Sequence, residues 1–241
     1  MRVSTTNFKN AFGKYLKEVM NGKDIIVTKN GKGVAKLIKY SDPLVYIMKE
    51  KAGEYSLRER VSYEEYLVIC EKEDTKYELI DGVLYLMASP SHMHQVAVRE
   101  ISGQFYIWFS GKECEPFTSP YDVKLYDAES SFEDDPNVVQ PDVLVICDSD
   151  KVDEKGRYQG RPTLVAEVLS QGTRSKDMVA KLNLYMRSGV SEYWVVDLDT
   201  RSVHVYAFEE FEIKSMKTYS FDNLVESDCF EGLKIDLTRI K

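Results

Sequence analysis

Two carboxylates stand where a folded chain tolerates them least. Asp142 follows Pro141 at the mouth of the apolar run VLVIC, and Glu167 interrupts LVAEVL, where alternation otherwise sets an apolar side chain. Burying an ionised carboxylate uncompensated is costly, whereas a divalent cation offsets the charge and takes oxygen ligands. Side by side, the two could share one Mg2+, and Mn2+ takes the same ligands. A cation held in this way polarises a phosphoryl oxygen and activates water, the chemistry of metal-assisted hydrolysis. Capping or salt bridging is the structural alternative for both residues.

The elements that must position this pair can be read from the pattern around it. QPDVLVICD and RPTLVAEVLS read as buried strands, followed by a helix from Ser175 to Arg187 that stops at Ser188-Gly189. EYWVVD and SVHVYAF then form a strand pair about the Asp199-Thr200 turn. Upstream, Ser62 and Glu65 make a capping box for a short helix ending near Cys70. KYELIDGVLYLM reads as a hairpin turning at Asp81-Gly82, with Glu78 on its first strand. Ser91 caps a largely buried helix carrying Val96, Val98, Ile101, Phe105, Ile107 and Trp108. Strand-like stretches follow near 114 to 119 and 121 to 126, then an acidic loop over 127 to 137. This order predicts an α/β fold, a mixed sheet flanked by helices, with a β-rich C-terminus.

YELIDG at 77 to 82, His94 after SPSHMH, QPDVLV at 140 to 145, LVAEVLS at 164 to 170, the series Asp177, Lys181, Tyr185, and GVSEYWVVD at 189 to 197 form an ordered set. This set resembles the PD-(D/E)xK nucleases, and more closely the Uma2 (DUF820) family of endonucleases, over roughly residues 60 to 208. The resemblance implies a restriction-endonuclease-like sheet and Mg2+-dependent hydrolysis of DNA. It implies Asp142 and Glu167 as metal ligands, with the Val168 carbonyl helping, and Glu78 completing the shell or placing a second ion. His94 would contact phosphate or assist proton transfer. One position departs: Leu169 stands where the common motif has its lysine. The resemblance implies that Lys181, on the following helix, brings an ammonium to the same space. On spacing alone Lys181 could equally pair with Asp177 on an exposed helix face, Glu78 could pair across its hairpin, and His94 could pack. Tyr185 and Trp194 read as core.

The N-terminal segment differs in charge from the rest. Residues 1 to 51 hold eleven Lys and Arg against four Asp and Glu, leaving 21 against 36 in the remainder, so the overall charge of −8 hides two regions of opposite sign. After Ser4-Thr5-Thr6-Asn7, the residues Phe8, Phe12, Tyr15, Leu16 and Val19 recur at helical spacing and predict one helix from about Asn7 to Met20. DIIVT and VAKLIK follow as a hairpin, giving the order short strand, helix, hairpin. This segment resembles the Phd/YefM antitoxins over roughly residues 1 to 40. The resemblance implies a small α+β module that dimerises and binds DNA, with Arg2, Lys9, Lys14, Lys29 and Lys32 as the phosphate contacts. A toxin-like protein partner is a further implication. Residues 41 to 60 read either as a toxin-neutralising remnant or as a linker. The domains expected are 1–53 and 54–241.

Four cysteines at 70, 114, 147 and 229 show no paired spacing, so reduced thiols are expected. No apolar run is long enough to span a bilayer and the N-terminus lacks a hydrophobic signal region, which predicts a cytoplasmic protein without a membrane partner. Two functions compete. One is a Mg2+-dependent endonuclease acting as a homodimer, in which the basic module draws DNA to an acidic catalytic domain. The other is a non-catalytic DNA-binding regulator of toxin–antitoxin type with a degenerate nuclease-like domain.

Overall fold

The computed structural model describes every residue except 22, 24, 30, 38–44, 48–55, 59, 73–75, 88, 171–173, 175 and 241. The chain divides into a unit Met1–Leu44 and a unit Val45–Lys241. Most of the stretch 41 to 60, read from sequence as remnant or linker, lies outside the described residues, as does the point between 53 and 54 expected to part the domains.

In the first unit, β1 (Arg2–Ser4) pairs parallel with β2 (Ile25–Lys29), which turns back antiparallel into β3 (Lys32–Leu37). The connection carries α1 (Thr5–Asn10) and α2 (Phe12–Met20). Ser4 Oγ caps α1 by accepting the Asn7 N–H at 3.2 Å. The single helix expected over 7–20 is instead two, because Ala11 adopts φ −134°, ψ 36°, outside the helical region. Val3, Val19, Ile25 and Val27 form the buried core, with Phe8, Tyr15 and Leu37 packed on it.

The second unit begins with a small hairpin, β4 (Val45–Ile47) and β5 (Ser56–Arg58), then α3 (Tyr63–Lys72). The capping box forms as read: Ser62 N–H donates to Glu65 Oε2 at 2.9 Å, and Glu65 N–H to Ser62 Oγ at 3.2 Å. Next come β6 (Tyr77–Ile80) and β7 (Val83–Leu86), whose turn places Asp81 and Gly82 at φ 52° and 72°. Two successive left-handed residues make the tight hairpin turn that an Asp-Gly pair favours. After α4 (His92–Phe109) the chain runs through β8 (Glu115–Thr118), β9 (Val123–Leu125), β10 (Asn137–Val139), β11 (Val143–Ile146) and β12 (Leu164–Val168). A π-helical segment, Lys176–Lys181, leads into α5 (Leu182–Arg187), then β13 (Glu192–Asp197), β14 (Ser202–Glu209) and β15 (Glu212–Ser220). The short strands β16 (Val225–Glu226) and β17 (Lys234–Ile235) close the chain.

The main sheet is six-stranded and mixed, in the order β15-β14-β13-β12-β11-β8, and only β12 and β13 run parallel. That parallel step needs a crossover, and the π-helical segment with α5 supplies it. One face of the sheet, through Val143, Val145, Ala166, Val168 and Trp194, packs on Ala97, Ile101 and Phe105 of α4. The opposite face, through Leu144, Val165, Tyr193 and Val195, packs on Leu184 and Tyr185 of α5 and on the second, four-stranded sheet β7-β6-β10-β9.

Two further expectations from sequence are corrected. Cys114 and Cys147 are joined by a disulfide; the register that sets Ile146 opposite Glu115 carries them on as the next facing pair. Only Cys70 and Cys229 remain as free thiols. The helix expected over 175–187 begins as a π-helix, whose wider i→i+5 turn departs from the period read in the sequence.

Candidate active site

The π-helical segment, β12 and the entry to β11 meet at a buried group of charged side chains. Continuing the register that pairs Val143 with Ala166 sets Asp142 opposite Glu167, on the sheet face covered by α5. Strand alternation thus delivers both carboxylates to one side. Asp142 Oδ2 accepts the Val168 N–H at 2.8 Å and faces His94 Nε2 at 3.1 Å. His94 belongs to the first turn of α4, which Ser91 Oγ caps through the His94 N–H.

Glu167 is 4% exposed and its Oε1 accepts both Lys181 Nζ at 2.6 Å and Tyr185 Oη at 2.8 Å. Lys181, at 2%, is also fully enclosed and reaches Glu78 Oε1 at 2.8 Å. Its i,i+4 neighbour Asp177 lies at 3.9 Å and is itself buried, so the pairing on an exposed helix face weighed from spacing does not occur. Glu78 takes two further donors: the Gln140 N–H at 2.9 Å on Oε1, and Lys176 Nζ at 2.7 Å on Oε2.

The electrostatics follow from four carboxylates and two ammonium groups sharing little water. Burial pushes the Glu78 carboxyl up, but the Lys181 and Lys176 ammoniums outweigh it and hold the group down at about 2. Glu167 goes the other way. Burial, with Asp142, Asp177 and Glu78 nearby, raises it to about 8 despite Lys181 beside it. Lys181 is resisted by burial but raised by Glu167, Glu78 and Asp177, so it stays an ammonium. Burial pulls His94 down, while its hydrogen bond to Asp142, the Asp142 and Asp177 charges and the Val168 carbonyl raise it overall.

A divalent cation suits this donor set in one respect: Glu167, as an ionised group, is short of positive charge even with Lys181 in contact. Among the described residues, the bonds that hold the site use Asp142 Oδ2 and Glu167 Oε1, leaving Asp142 Oδ1 and Glu167 Oε2 outside them. Among the described residues no three His, Cys, Asp or Glu side chains converge as a metal-holding group.

Asp142, Glu167, Lys181, Glu78 and His94, all singled out from sequence, are therefore brought together. Sequence reasoning missed Lys176 and the contact of Tyr185, which was read as core. Tyr185 packs as expected, 4.9 Å from the Tyr193 ring, but its hydroxyl is spent on Glu167. The signal for Tyr185 was available, since it ends the series of Asp177 and Lys181; Lys176 stands outside that series. In the first unit, Arg2, Lys9, Lys14, Lys29 and Lys32 are all exposed. Lys29 and Lys32 face each other across the β2–β3 hairpin.

A mixed sheet that presents a carboxylate pair and a crossover lysine from one face is the scaffold of a nuclease-like α/β domain. The chain belongs to the Uma2 family, whose model, described as "Putative restriction endonuclease", matches residues 63–238. A second model, for the Phd_YefM antitoxin of type II toxin–antitoxin systems, matches residues 1–58. The crystal structure of "a putative nuclease belonging to DUF820" from Anabaena variabilis superposes with a TM-score of 0.58 over 75% of this chain and 97% of that one. At 17% identity, that likeness speaks for the fold. Two uncharacterised Synechocystis proteins are similar in sequence. One is 30% identical over 148 residues, 61% of this chain and 74% of its own. The other is 29% identical over 135 residues, 55% and 72% respectively. Among the described residues, no helix is long and apolar enough to cross a membrane.

Proposed function

We propose that the Val45–Lys241 unit is a Mg2+-dependent endonuclease that hydrolyses DNA phosphodiester bonds. The observation that carries this reading is the buried contact of Lys181 Nζ with Glu167 Oε1 at 2.6 Å, with Asp142 opposite on the neighbouring strand. Asp142 and Glu167, with the Val168 carbonyl, would hold the cation, and Mn2+ would substitute. When bound, it supplies phosphate polarisation and a water of lowered pKa. Lys181, kept protonated, stabilises the charge that builds on the phosphorane oxygens and orients the attacking water. Tyr185 Oη donates to Glu167 Oε1 and so fixes that carboxylate. His94 holds Asp142 through Oδ2 and, when protonated, would pass a proton to the leaving oxygen.

The N-terminal unit, in this proposal, dimerises and binds DNA. Its five candidate cations are exposed, and Lys29 facing Lys32 is a like-charge pair that a phosphate would relieve. Phe12, Leu16 and Val34 are exposed apolar residues suited to a second copy of the chain or to a toxin-like protein. Plasmid cleavage tests the enzymatic reading directly. Cutting should require Mg2+, stop on chelation and be absent in Asp142→Ala; no cutting of any DNA form by the wild type refutes it.

A second reading is favoured by the internal saturation of Glu167 Oε1, which Lys181 and Tyr185 already satisfy. A non-catalytic DNA-binding regulator would keep such a closed network. It would shift duplex DNA without cutting it, and Asp142→Ala would leave that binding intact.

A further inference from the structure

We propose that Glu78 is a positioning residue that anchors two lysines, Lys181 and Lys176, and takes no part in holding a cation. The proposal rests on the nuclease reading above for its context, but its geometry stands by itself. Glu78 is 1% exposed, and three donors converge on its carboxylate: the Gln140 N–H and Lys181 Nζ on Oε1, and Lys176 Nζ on Oε2. An ionised carboxylate only accepts, and here both oxygens are engaged by donors, two of them charged. A divalent cation at Glu78 would have to share the carboxylate with two ammonium groups and sit beside both positive charges in a poorly solvated site.

The arrangement also has a purpose that metal binding would not explain. Gln140 lies two residues before Asp142, so its N–H bond to Glu78 ties β6 to the entry of β11 where Asp142 stands. The same carboxylate reaches the π-helical segment at both ends, through Lys176 and Lys181. Glu78 thus fixes the two lysines relative to the Asp142 strand. Lys176, at 10% side-chain exposure against 2% for Lys181, is the member of the pair nearer to water, with the Tyr85 ring 5.9 Å from its Nζ. It is a second cation available to a backbone phosphate, and neither the family resemblance nor the spacing pointed to it.

The test uses the full chain with two readouts, Mn2+ binding by calorimetry and the rate of Lys176 acetylation by an N-hydroxysuccinimide ester, read by peptide mass spectrometry without metal. Glu78→Gln should keep Mn2+ affinity near that of the wild type, while Asp142→Asn, which removes the charge of a proposed ligand, loses at least the about tenfold that disturbing a ligand's supporting partner costs. Lys176 should acetylate several-fold faster in Glu78→Gln and at the wild-type rate in Asp142→Asn. Should Glu78→Gln fail to fold, Glu78→Asp, one methylene short of both lysines, carries the same two readouts. A Mn2+ loss at position 78 equal to that of Asp142→Asn, or an unchanged Lys176 rate, overturns the assignment. If the wild type itself takes up no Mn2+, the metal reading fails alone, and the labelling rate still decides the role of Glu78.

Discussion

Lys181 Nζ lies 2.6 Å from Glu167 Oε1 although the two residues are 14 positions apart, one on β12 and the other at the end of the π-helical segment. Position 169, where the common nuclease motif has its lysine, is instead a leucine packed in the core beside Val165 and Leu184. The ammonium beside Glu167 comes instead from the crossover segment, while its carboxylate partner lies on the strand. Replacing it should be costly in two ways. Lys181→Met should destabilise the unit by about 3–5 kcal/mol, because Glu167 and Glu78 lose their shared counter-ion. Urea denaturation checks this, and a change within experimental scatter would remove Lys181 from the buried network.

Tyr185→Phe separates the ring from the hydroxyl. The ring contact with Tyr193 survives, while Glu167 Oε1 loses a donor at 2.8 Å. A cost of about 1–3 kcal/mol is expected for an acceptor left short in a buried site. A neutral result would mean that Lys181 alone satisfies the carboxylate.

Asp153 gives a pH signature away from the site. Burial raises its carboxyl, but the Arg157 N–H, Lys124, Gln159 and the Lys155 N–H outweigh it and hold it at about 2, below the ordinary 3.8. A depressed folded-state pKa contributes stability that is present above the unfolded value and lost as pH falls through the folded one. The stability difference between wild type and Asp153→Asn should therefore be constant above about pH 4 and shrink toward about pH 2. Equilibrium unfolding across that range measures it; a difference that stays constant down to the lower limit contradicts the assignment.

Removing the box at α3 is a control on local structure. Ser62→Ala loses the Oγ that accepts the Glu65 N–H, and should cost about 1 kcal/mol. Thermal unfolding reads it directly.

For the first unit, Lys29→Gln with Lys32→Gln should weaken duplex binding by the full chain and flatten its salt dependence. Removing one cation that neutralises a phosphate lowers the slope of log affinity against log salt by about 0.9. An unchanged slope means that DNA is held elsewhere.

Strand identity and the candidate carboxylates were legible because a charged residue inside an apolar run is a strong local signal. That rule is not specific. Glu192 likewise is a charged residue in a buried strand, opening EYWVVD, yet its Oε1 takes the Trp194 indole N–H and its Oε2 the N–H groups of Asp228 and Cys229. It ties the C-terminal loop to the sheet, and only three-dimensional partners distinguish it from Glu167. The Ala11 break, the π-helical turn and the role of Lys176 were not legible, because each depends on how far a helix is wound rather than on which residues it contains. The Cys114–Cys147 pairing escaped for a related reason: 33 residues separate the two, and only the register of β8 on β11 makes them neighbours.

That same disulfide makes the segment from Cys114 to Cys147 a covalent ring that contains β8, β9, β10, β11 and the acidic loop between β9 and β10. A protease that nicks the loop therefore releases nothing: the two halves run as one species on a non-reducing gel and as two after thiol treatment. The strand that bears Asp142 stays attached to its neighbour whether or not the backbone between them is whole.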